Sequence, residues 1–197
     1  MEKLYRDAAG DPTKLPWHRE EPAPLLVKCA TARSRGRALD VGCGSGVFSR
    51  YLSSLGYDVV AIDLNTDAVA MARRLAALGP AFDVIEADVL EFEPQHAFDL
   101  VYDSGCLHNF NRQGMARYVA QLDKWLAPAG DFVLEHWGKR HALDWRPVGP
   151  YRRSERAIAA AFAPRFRVHE TAAETFDVPF PLGPKVRGVS YHLKLSD

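Results

Sequence analysis

Residues 36–50 read Gly-Arg-Ala-Leu-Asp-Val-Gly-Cys-Gly-Ser-Gly-Val-Phe-Ser-Arg, and this stretch decides the fold. The largely apolar residues 38–41 predict a short buried strand. Apolar residues at helical spacing over 47–55 predict a helix soon after it. Three alternating glycines separate the two elements: Gly42, Gly44 and Gly46. Because glycine permits positive φ and a helix start offers free N–H groups, we expect a tight turn that binds a nucleotide-like ligand.

The spacing of the glycines distinguishes between ligand classes. Dinucleotide-binding turns usually read Gly-x-Gly-x-x-Gly, whereas here the third glycine comes one residue early, and the Gly-Lys-Ser/Thr of a P-loop is absent. Asp40 stands two residues before Gly42, and the stretch Asp-x-Gly-x-Gly-x-Gly resembles motif I of the class I methyltransferases that use S-adenosylmethionine (SAM). The resemblance implies a turn around the methionine end of SAM, whose ammonium suits the acid. A glycine-rich turn without a ligand remains the alternative.

Two further acids follow predicted strands. Asp63 ends the apolar run 59–62 and lies 21 positions after Gly42, where an acid is placed to bind both ribose hydroxyls. The third predicted strand, 82–87, precedes Asp88, and the resemblance implies that this acid faces the adenine amino group. A helix cap or a solvated turn is the alternative role for both acids. The predicted cofactor-binding residues are Asp40, Gly42, Gly44, Gly46, Asp63, Leu64, Asp88, Val89 and Asp103.

The loop after the fourth predicted strand, 98–102, reads Asp-Ser-Gly-Cys-Leu-His-Asn-Phe over 103–110. Ligands of open α/β sheets bind at the carboxyl ends of strands, so His108 is the candidate catalytic residue. If His108 acts as a base, the pH–rate profile should have a limb near pH 6.5. The alternative is a histidine that is only hydrogen-bonded within the loop. Cys106 lacks the Pro-Cys signature of a cytosine-5 nucleophile, and we interpret it as a packed loop residue.

The rest of the chain alternates between the two periodicities of helices and strands. Helices are predicted over 22–33, 47–55, 66–78, 113–127 and 154–162, and later strands over 132–137, 166–171 and 189–195. The last two strands follow each other without a helix between them. We therefore expect an α/β, Rossmann-like three-layer sandwich with a mainly parallel seven-stranded sheet and an antiparallel last strand, which is the fold of the resembled family.

The residues before the glycine turn are expected to form a separate part of the chain. Residues 1–35 are interpreted as an N-terminal arm and helix that cover the substrate, and 36–197 as the methyltransferase domain. Residues 1–21 look polar and irregular, so the chain should fold without residues 1–18. Trp17 is either part of a lid or a plug in a surface groove. The predicted acceptor-site residues are Trp17, His18, His136 and Trp137.

Composition narrows the partners and the compartment. The chain has 25 basic residues (Lys and Arg) and 25 acidic residues (Asp and Glu), so its formal net charge is zero. It therefore has no overall positive charge to attract nucleic acid or an anionic membrane. Three cysteines without metal-ligand spacing predict a reducing cytoplasm and no disulfide framework. We predict no metal site, because nothing in the spacing of His18, His108 and His136 requires one, and a metal held by these three histidines is the alternative. No apolar run reaches the length of a membrane span. We expect a cytoplasmic monomer or homodimer with a small-molecule acceptor.

The acceptor is less defined than the cofactor. The stretch 103–106 lacks the Asn/Asp-Pro-Pro-Tyr/Phe of nucleic-acid amino-methyltransferases. Pro16-Trp17 and the loop 103–108 are similar to the entry and loop of the thiopurine and thiol methyltransferase-like group. The resemblance implies methylation of a thiol or related soft nucleophile, with S-adenosylhomocysteine (SAH) as product. A small-molecule O- or N-methyltransferase and a SAM-binding protein without turnover remain the alternatives.

Overall fold

The computed structural model describes residues 2–33, 35–139, 141, 144, 150–176 and 185–196. The helices are α1 (Glu2–Ala8), α2 (Pro24–Ala32), α3 (Val47–Ser54), α4 (Thr66–Ala77), α5 (Arg112–Trp125) and α6 (Glu155–Phe162). The strands are β1 (Arg37–Val41), β2 (Asp58–Asp63), β3 (Asp83–Glu86), β4 (Phe98–Ser104), β5 (Leu126–Gly138), β6 (Phe166–Phe176) and β7 (Val186–Leu195). None of the helices in these described ranges has the length and apolar character needed to span a bilayer.

Seven strands of the described residues form one sheet in the order β3-β2-β1-β4-β5-β7-β6. β1 pairs in parallel with β2 and β4, and β3 and β5 extend the parallel sheet on either side. β7 is antiparallel to both of its neighbours, β5 and β6. The predicted fold class is therefore confirmed, including the antiparallel last strand.

Both faces of the sheet are covered, which explains why its central strands read as continuous apolar runs. On one face, Trp125 of α5 and Phe162 of α6 pack with Phe132 of β5. On the other face, helices α2, α3 and α4 bury a second cluster that includes Leu26 and Leu52. The two clusters hold the three layers of the sandwich together. Because β1, β2, β3 and β4 are parallel, their carboxyl ends lie along one edge of the sheet.

The N-terminal arm differs from the prediction. Residues 1–21 were expected to be irregular, but they contain α1 and a short 3-10 turn, Pro12–Lys14. Tyr5, Ala8 and Leu15 are buried together against α4. The expectation that the core begins after residue 18 is therefore wrong. A helix of seven residues carries too few apolar positions for its periodicity to stand out in the sequence.

Strands β5 and β6 extend furthest beyond their predicted ranges. β5 begins at Leu126, directly after α5, and its register with β4 shifts between Phe98 and Leu100. β6 continues to residue 176 because it pairs along its length with β7. Hydrogen bonding to a neighbouring strand extends both elements beyond the apolar residues that identify them in the sequence.

Candidate functional site

The glycine turn between β1 and α3 needs glycine at each of its three positions. Gly42, Gly44 and Gly46 have φ values of 66°, 56° and 82°. An added Cβ would lie 2.8 Å from the Cβ of Cys106 at the first position and 2.9 Å from the Tyr5 hydroxyl at the second. These φ values and contacts leave no room for a side chain, so the turn presents bare backbone at the carboxyl edge of the sheet.

Asp63, at the end of β2, is tied to the glycine turn. Its Oδ2 accepts a hydrogen bond from the Gly44 N–H at 2.9 Å, and its Oδ1 accepts one from the Asn65 N–H at 2.8 Å. Burial raises the pKa of this carboxyl, while the backbone hydrogen bonds lower it. Each carboxylate oxygen has a second lone pair for a ligand hydroxyl. The predicted ribose contact is compatible with this geometry, and the neighbouring Leu64 side chain is exposed.

Asp40 connects β1 to α3 underneath the turn. It is 2% exposed and accepts a hydrogen bond from the Ser49 hydroxyl. Burial raises the pKa of Asp40 to about 7, against the effect of the Ser49 hydrogen bond, and the nearby Asp103 raises it further. The carboxyl therefore titrates near neutral pH, so a cationic ligand beside the turn would favour its ionised form.

Asp103 holds the loop that follows β4. It accepts hydrogen bonds from the Cys106 N–H at 2.7 Å, the Leu107 N–H at 3.0 Å and the Tyr118 hydroxyl at 2.7 Å. Burial raises its pKa to about 7 in spite of these contacts. Its carboxylate fixes the loop, a role that the sequence analysis did not predict, and its assignment to the cofactor stays a prediction.

The acids at the strand ends converge on Cys106. Burial raises the pKa of this thiol well above its usual value, and four carboxylates raise it further: Asp103, Asp63, Asp88 and Asp40. Asp88 itself accepts the Leu90 N–H at 2.9 Å in the turn after β3, next to the buried Val89. The structure thus brings the predicted cofactor residues to one place, and Cys106 is packed against Gly42 as expected.

His108 lies in the 3-10 turn Leu107–Asn109 beside the cofactor residues. Its ring centroid is 5.9 Å from that of His136 and 5.6 Å from that of Trp137. Its Nδ1 has no hydrogen-bond partner among the residues that the structure describes. Burial lowers the pKa of His108 to about 3, and the nearby His136 and Arg153 lower it further. The imidazole is therefore neutral at physiological pH, unlike the group near 6.5 that the sequence predicts.

His136 is fixed in one tautomer by two contacts. Its Nδ1–H donates to the Trp137 carbonyl at 2.8 Å, because a carbonyl only accepts. Its Nε2 accepts from the Arg153 guanidinium at 3.0 Å, because arginine only donates. Burial lowers the pKa of His136 to about 4, and the Arg153 charge adds to this effect. Both histidines thus present neutral rings.

Arg153 belongs to a segment that the sequence analysis missed. Its backbone pairs with Gly138 at the end of β5, and the preceding Tyr151 N–H donates to the His108 carbonyl at 2.8 Å. Most of the connection before it, which includes 145–149, lies outside the described residues. The two arginines at 152–153 could not be assigned to the site from sequence, because nothing in the neighbouring residues shows that this segment packs beside His108 and His136.

The N-terminal arm crosses the same edge of the sheet. Trp17 is 38% exposed and packs edge-on against Tyr5, with ring centroids 5.6 Å apart. Burial raises the pKa of Tyr5, and the nearby Asp63 carboxylate raises it further. The structure therefore places Trp17 beside the glycine turn, whereas His136 and Trp137 lie beside His108.

Arg19 connects the end of the arm to strands β5 and β6, which lie in the other half of the sheet. It donates to Glu135 of β5 at 2.5 Å and to Glu174 of β6 at 3.3 Å, and it lies 5.4 Å from the centroid of the Phe48 ring. His18 lies just before it, with Nε2 3.7 Å from a Glu20 carboxylate oxygen. In the described part of the chain, no three His, Cys, Asp or Glu side chains are grouped as metal ligands.

Known proteins resemble this chain in sequence. A family model for a methyltransferase domain matches residues 38–130. The chain is 28% identical to the probable thiol methyltransferase 2 of Arabidopsis thaliana over 68% of this chain and 60% of that protein. It is 30% identical to the malonyl-[acyl-carrier protein] O-methyltransferase of Enterobacter lignolyticus over 80% of this chain and 64% of that protein. Across the first curated relatives, the chain spans 30% to 60% of their length.

Solved structures resemble its fold. The 1,6-didemethyltoxoflavin-N1-methyltransferase of Burkholderia thailandensis, solved with 1,6-didemethyltoxoflavin and SAH bound, is 22% identical. It superimposes with a TM-score of 0.69 over 98% of this chain and 84% of that one. The likeness covers the described sheet and both helical layers.

Proposed function

Because the chain belongs to the class I SAM-dependent methyltransferase superfamily, we propose that it transfers the methyl group of SAM to a small-molecule acceptor. The observation that carries this proposal is the glycine turn with its converging strand-end acids. Bare backbone allows close approach of a ligand, and the acids around Cys106 favour a cation. A pyrophosphate would be repelled by the same carboxylates, which disfavours a dinucleotide.

The residues present fit SAM in a definite orientation. We assign the methionine end to the glycine turn beside Asp40, the ribose to Asp63, and the adenine to Asp88 and the Val89 backbone. We place Leu64 beside the adenosine. Asp103 contributes to cofactor binding indirectly, by fixing the loop after β4 through its hydrogen bonds to Cys106 and Leu107. SAM supplies an electrophilic methyl group on a sulfonium, and the chain contributes alignment of the acceptor and exclusion of water.

We further propose that the acceptor is a thiol or a related soft nucleophile. The low pKa of His108 supports this, since a ring with a pKa of about 3 is a weak base at neutral pH. A thiol with a pKa of about 8.5 ionises in solution and needs little help from a base. The relationship to the probable thiol methyltransferase 2 of Arabidopsis thaliana agrees with this chemistry.

Hydroxyl and amine acceptors are the alternative. The names of the relatives include an O-methyltransferase and an N1-methyltransferase. Such acceptors lose a proton during or before transfer, which favours an enzymatic base. His108 is the candidate, because its Nδ1 lacks a partner in the described ranges. A SAM-binding protein without turnover is the remaining alternative.

A screen of acceptors tests the proposal. Thiols, selenols, phenols and amines are incubated with the protein and SAM, and release of SAH is measured. We expect release with thiols or selenols that exceeds release with phenols and amines. Turnover of phenols or amines alone would contradict the soft-nucleophile proposal, and absence of SAH release with all four classes would favour a binding protein.

We also propose that residues 1–35 act as a lid over the cofactor and the acceptor. Two contacts support this proposal. The Tyr5 hydroxyl lies over Gly44 of the glycine turn, and Arg19 binds Glu135 of β5, so the arm contacts both the cofactor side and the neighbouring strand β5. Arg19→Gln should increase the rate of SAM release severalfold, as followed by tryptophan fluorescence. Arg165→Gln, which removes an exposed ion pair to Asp123 outside this segment, is the matched control. Equal release rates in both variants would assign the arm a purely structural role.

The location that we propose is the cytoplasm, with the protein as a monomer or homodimer. All three cysteines are free, and Cys29 and Cys43 are buried. Free thiols persist in a reducing compartment. Fractionation of cells with an antibody to the chain, combined with light scattering of the purified protein, tests both points.

A further inference from the structure

Arg153 is a cation at the junction of three segments on the acceptor side. Its guanidinium donates from Nη1 to the His136 Nε2 at 3.0 Å and from Nη2 to the Phe110 carbonyl. It also lies 5.0 Å from the centroid of the Tyr151 ring. Each of these partners is uncharged, because burial keeps His136 neutral. The side chain is partly buried.

Among the arginines that the structure describes as partly buried, the others pair with acids, whereas Arg153 contacts only uncharged groups. Within the described ranges, no carboxylate oxygen lies within 4 Å of its guanidinium nitrogens, which is the distance of an ion pair. Its sequence neighbour Arg152, by contrast, makes two hydrogen bonds of 3.0 Å to Asp144. Acid partners are likewise found for Arg19, Arg33, Arg165 and Arg187.

A partly buried charge without a counter-charge is unfavourable, and an anionic ligand would supply the missing partner. Arginine stays protonated in proteins, so this cation persists at any physiological pH. Its Nη1 lies 3.0 Å from the His136 Nε2, and the His136 ring centroid lies 5.9 Å from that of His108, so the cation is beside the candidate acceptor site. The acceptor side is therefore positive, whereas the cofactor side carries the acids.

We propose that Arg153 binds a negative charge of the methyl acceptor, so that the acceptor enters as an anion. The charge is a carboxylate on the acceptor or the ionised thiol itself, since a planar guanidinium binds either one. This inference rests on the proposed methyl transfer at the same site. It adds a positioning residue that also selects the substrate class.

Thioglycolate and its neutral amide are a matched pair of probes that separates the two sources of charge. Arg153→Gln should raise KM for thioglycolate about tenfold or more, with SAM affinity unchanged. A larger effect on thioglycolate than on the amide identifies the carboxylate. An equal effect on thioglycolate and its amide, with the rising limb of the pH–rate profile shifted to higher pH, identifies the ionised thiol.

Two variants control for folding and for loss of charge. Arg153→Lys keeps the charge and should retain KM within about threefold of wild type, which a purely structural role for the guanidinium fork would not predict. Arg165→Gln removes an exposed arginine paired with Asp123 and should leave KM unchanged. Thermal melting of each variant shows whether it is folded.

Calorimetric titration of thioglycolate into the SAH-saturated protein separates this inference from the proposed function. Binding that depends on Arg153, together with no SAH release from SAM in the acceptor screen, would support the anion site and contradict the transferase activity. Unchanged kinetics and binding in folded Arg153→Gln would overturn the inference. Weakened SAM binding with an unchanged KM for thioglycolate would also overturn it, because Arg153 would then serve the carboxylate of the cofactor.

Discussion

The cofactor side and the acceptor side of the candidate site are built in different ways. The cofactor side consists of a glycine turn and acids that end consecutive strands, and backbone hydrogen bonds such as Gly44 to Asp63 fix it. The acceptor side joins His108, His136 and Arg153, which come from three separate segments and meet through ring contacts and one guanidinium. The cofactor geometry is thus set by the local chain, and the acceptor geometry by tertiary packing.

The largest effect is expected at the glycine turn, where the backbone itself forms the site. Gly42→Ala places a Cβ 2.8 Å from the Cβ of Cys106 at a φ of 66°. We expect SAM affinity to fall about 100-fold or more, measured by calorimetry, because strain and the clash displace the turn.

Gly79→Ala is the matched control for this strain. Gly79 also has a φ of 66°, but an added Cβ there would meet nothing within 4 Å. It should lose stability and keep SAM affinity. Equal SAM affinities in the two folded variants would contradict a turn shaped for the cofactor.

The second effect concerns the acid that links the turn to the ribose position. Asp63→Ala removes charge-assisted hydrogen bonds, each worth about 1.5–3 kcal/mol, and should weaken SAM binding about 10- to 100-fold. Calorimetry measures the change. Asp58→Ala, at the exposed start of the same strand, is the control and should bind SAM normally. Unchanged affinity in a folded Asp63→Ala protein would remove this acid from the cofactor site.

A smaller effect is expected on the acceptor side. With a thiol acceptor, His108→Ala should reduce kcat/KM about tenfold or less, and the pH limb should follow the pKa of the acceptor. The imidazole, with a pKa of about 3, is already neutral between pH 5 and 8, so its titration adds no limb there. A loss of about 100-fold or more, typical of a positioned base, would favour a hydroxyl or amine acceptor.

The smallest effect is a pH dependence of stability at Asp40. Burial raises its pKa from an ordinary 3.8 to about 7, so the folded protein holds a proton that the unfolded chain releases earlier. This contribution is complete below pH 3.8 and is lost as the pH rises through 7.

Asp40→Asn keeps the uncharged form at every pH. The difference in melting temperature between the SAM-free variant and wild type should be at least about 3 °C larger, in favour of the variant, at pH 8 than at pH 5. Asp58→Asn, an exposed carboxyl, should show no such divergence. Parallel melting curves for Asp40→Asn and wild type across this range would show that the Asp40 carboxyl is already ionised.

The comparison also explains how much the sequence could predict. The positions of the glycine turn, Asp63 and Asp88 at the carboxyl ends of strands were predictable because each directly follows a short, mostly apolar stretch. Arg153 was not, since its partners lie 17 and 43 positions away in the chain. Helix α1 was missed for a related reason: Tyr5 and Ala8 are buried by tertiary contacts, including those with Ala68 and Met71 of α4. The ordinary pKa assumed for His108 failed because burial cannot be inferred from one loop histidine.

Calorimetric titration of the wild-type protein with SAM, and separately with NAD, tests the central claim most directly. The acid-lined glycine turn predicts saturable SAM binding at one site, with NAD binding much weaker or undetectable. A preference for NAD over SAM, or the absence of SAM binding to the folded protein, would contradict the assignment of the cofactor.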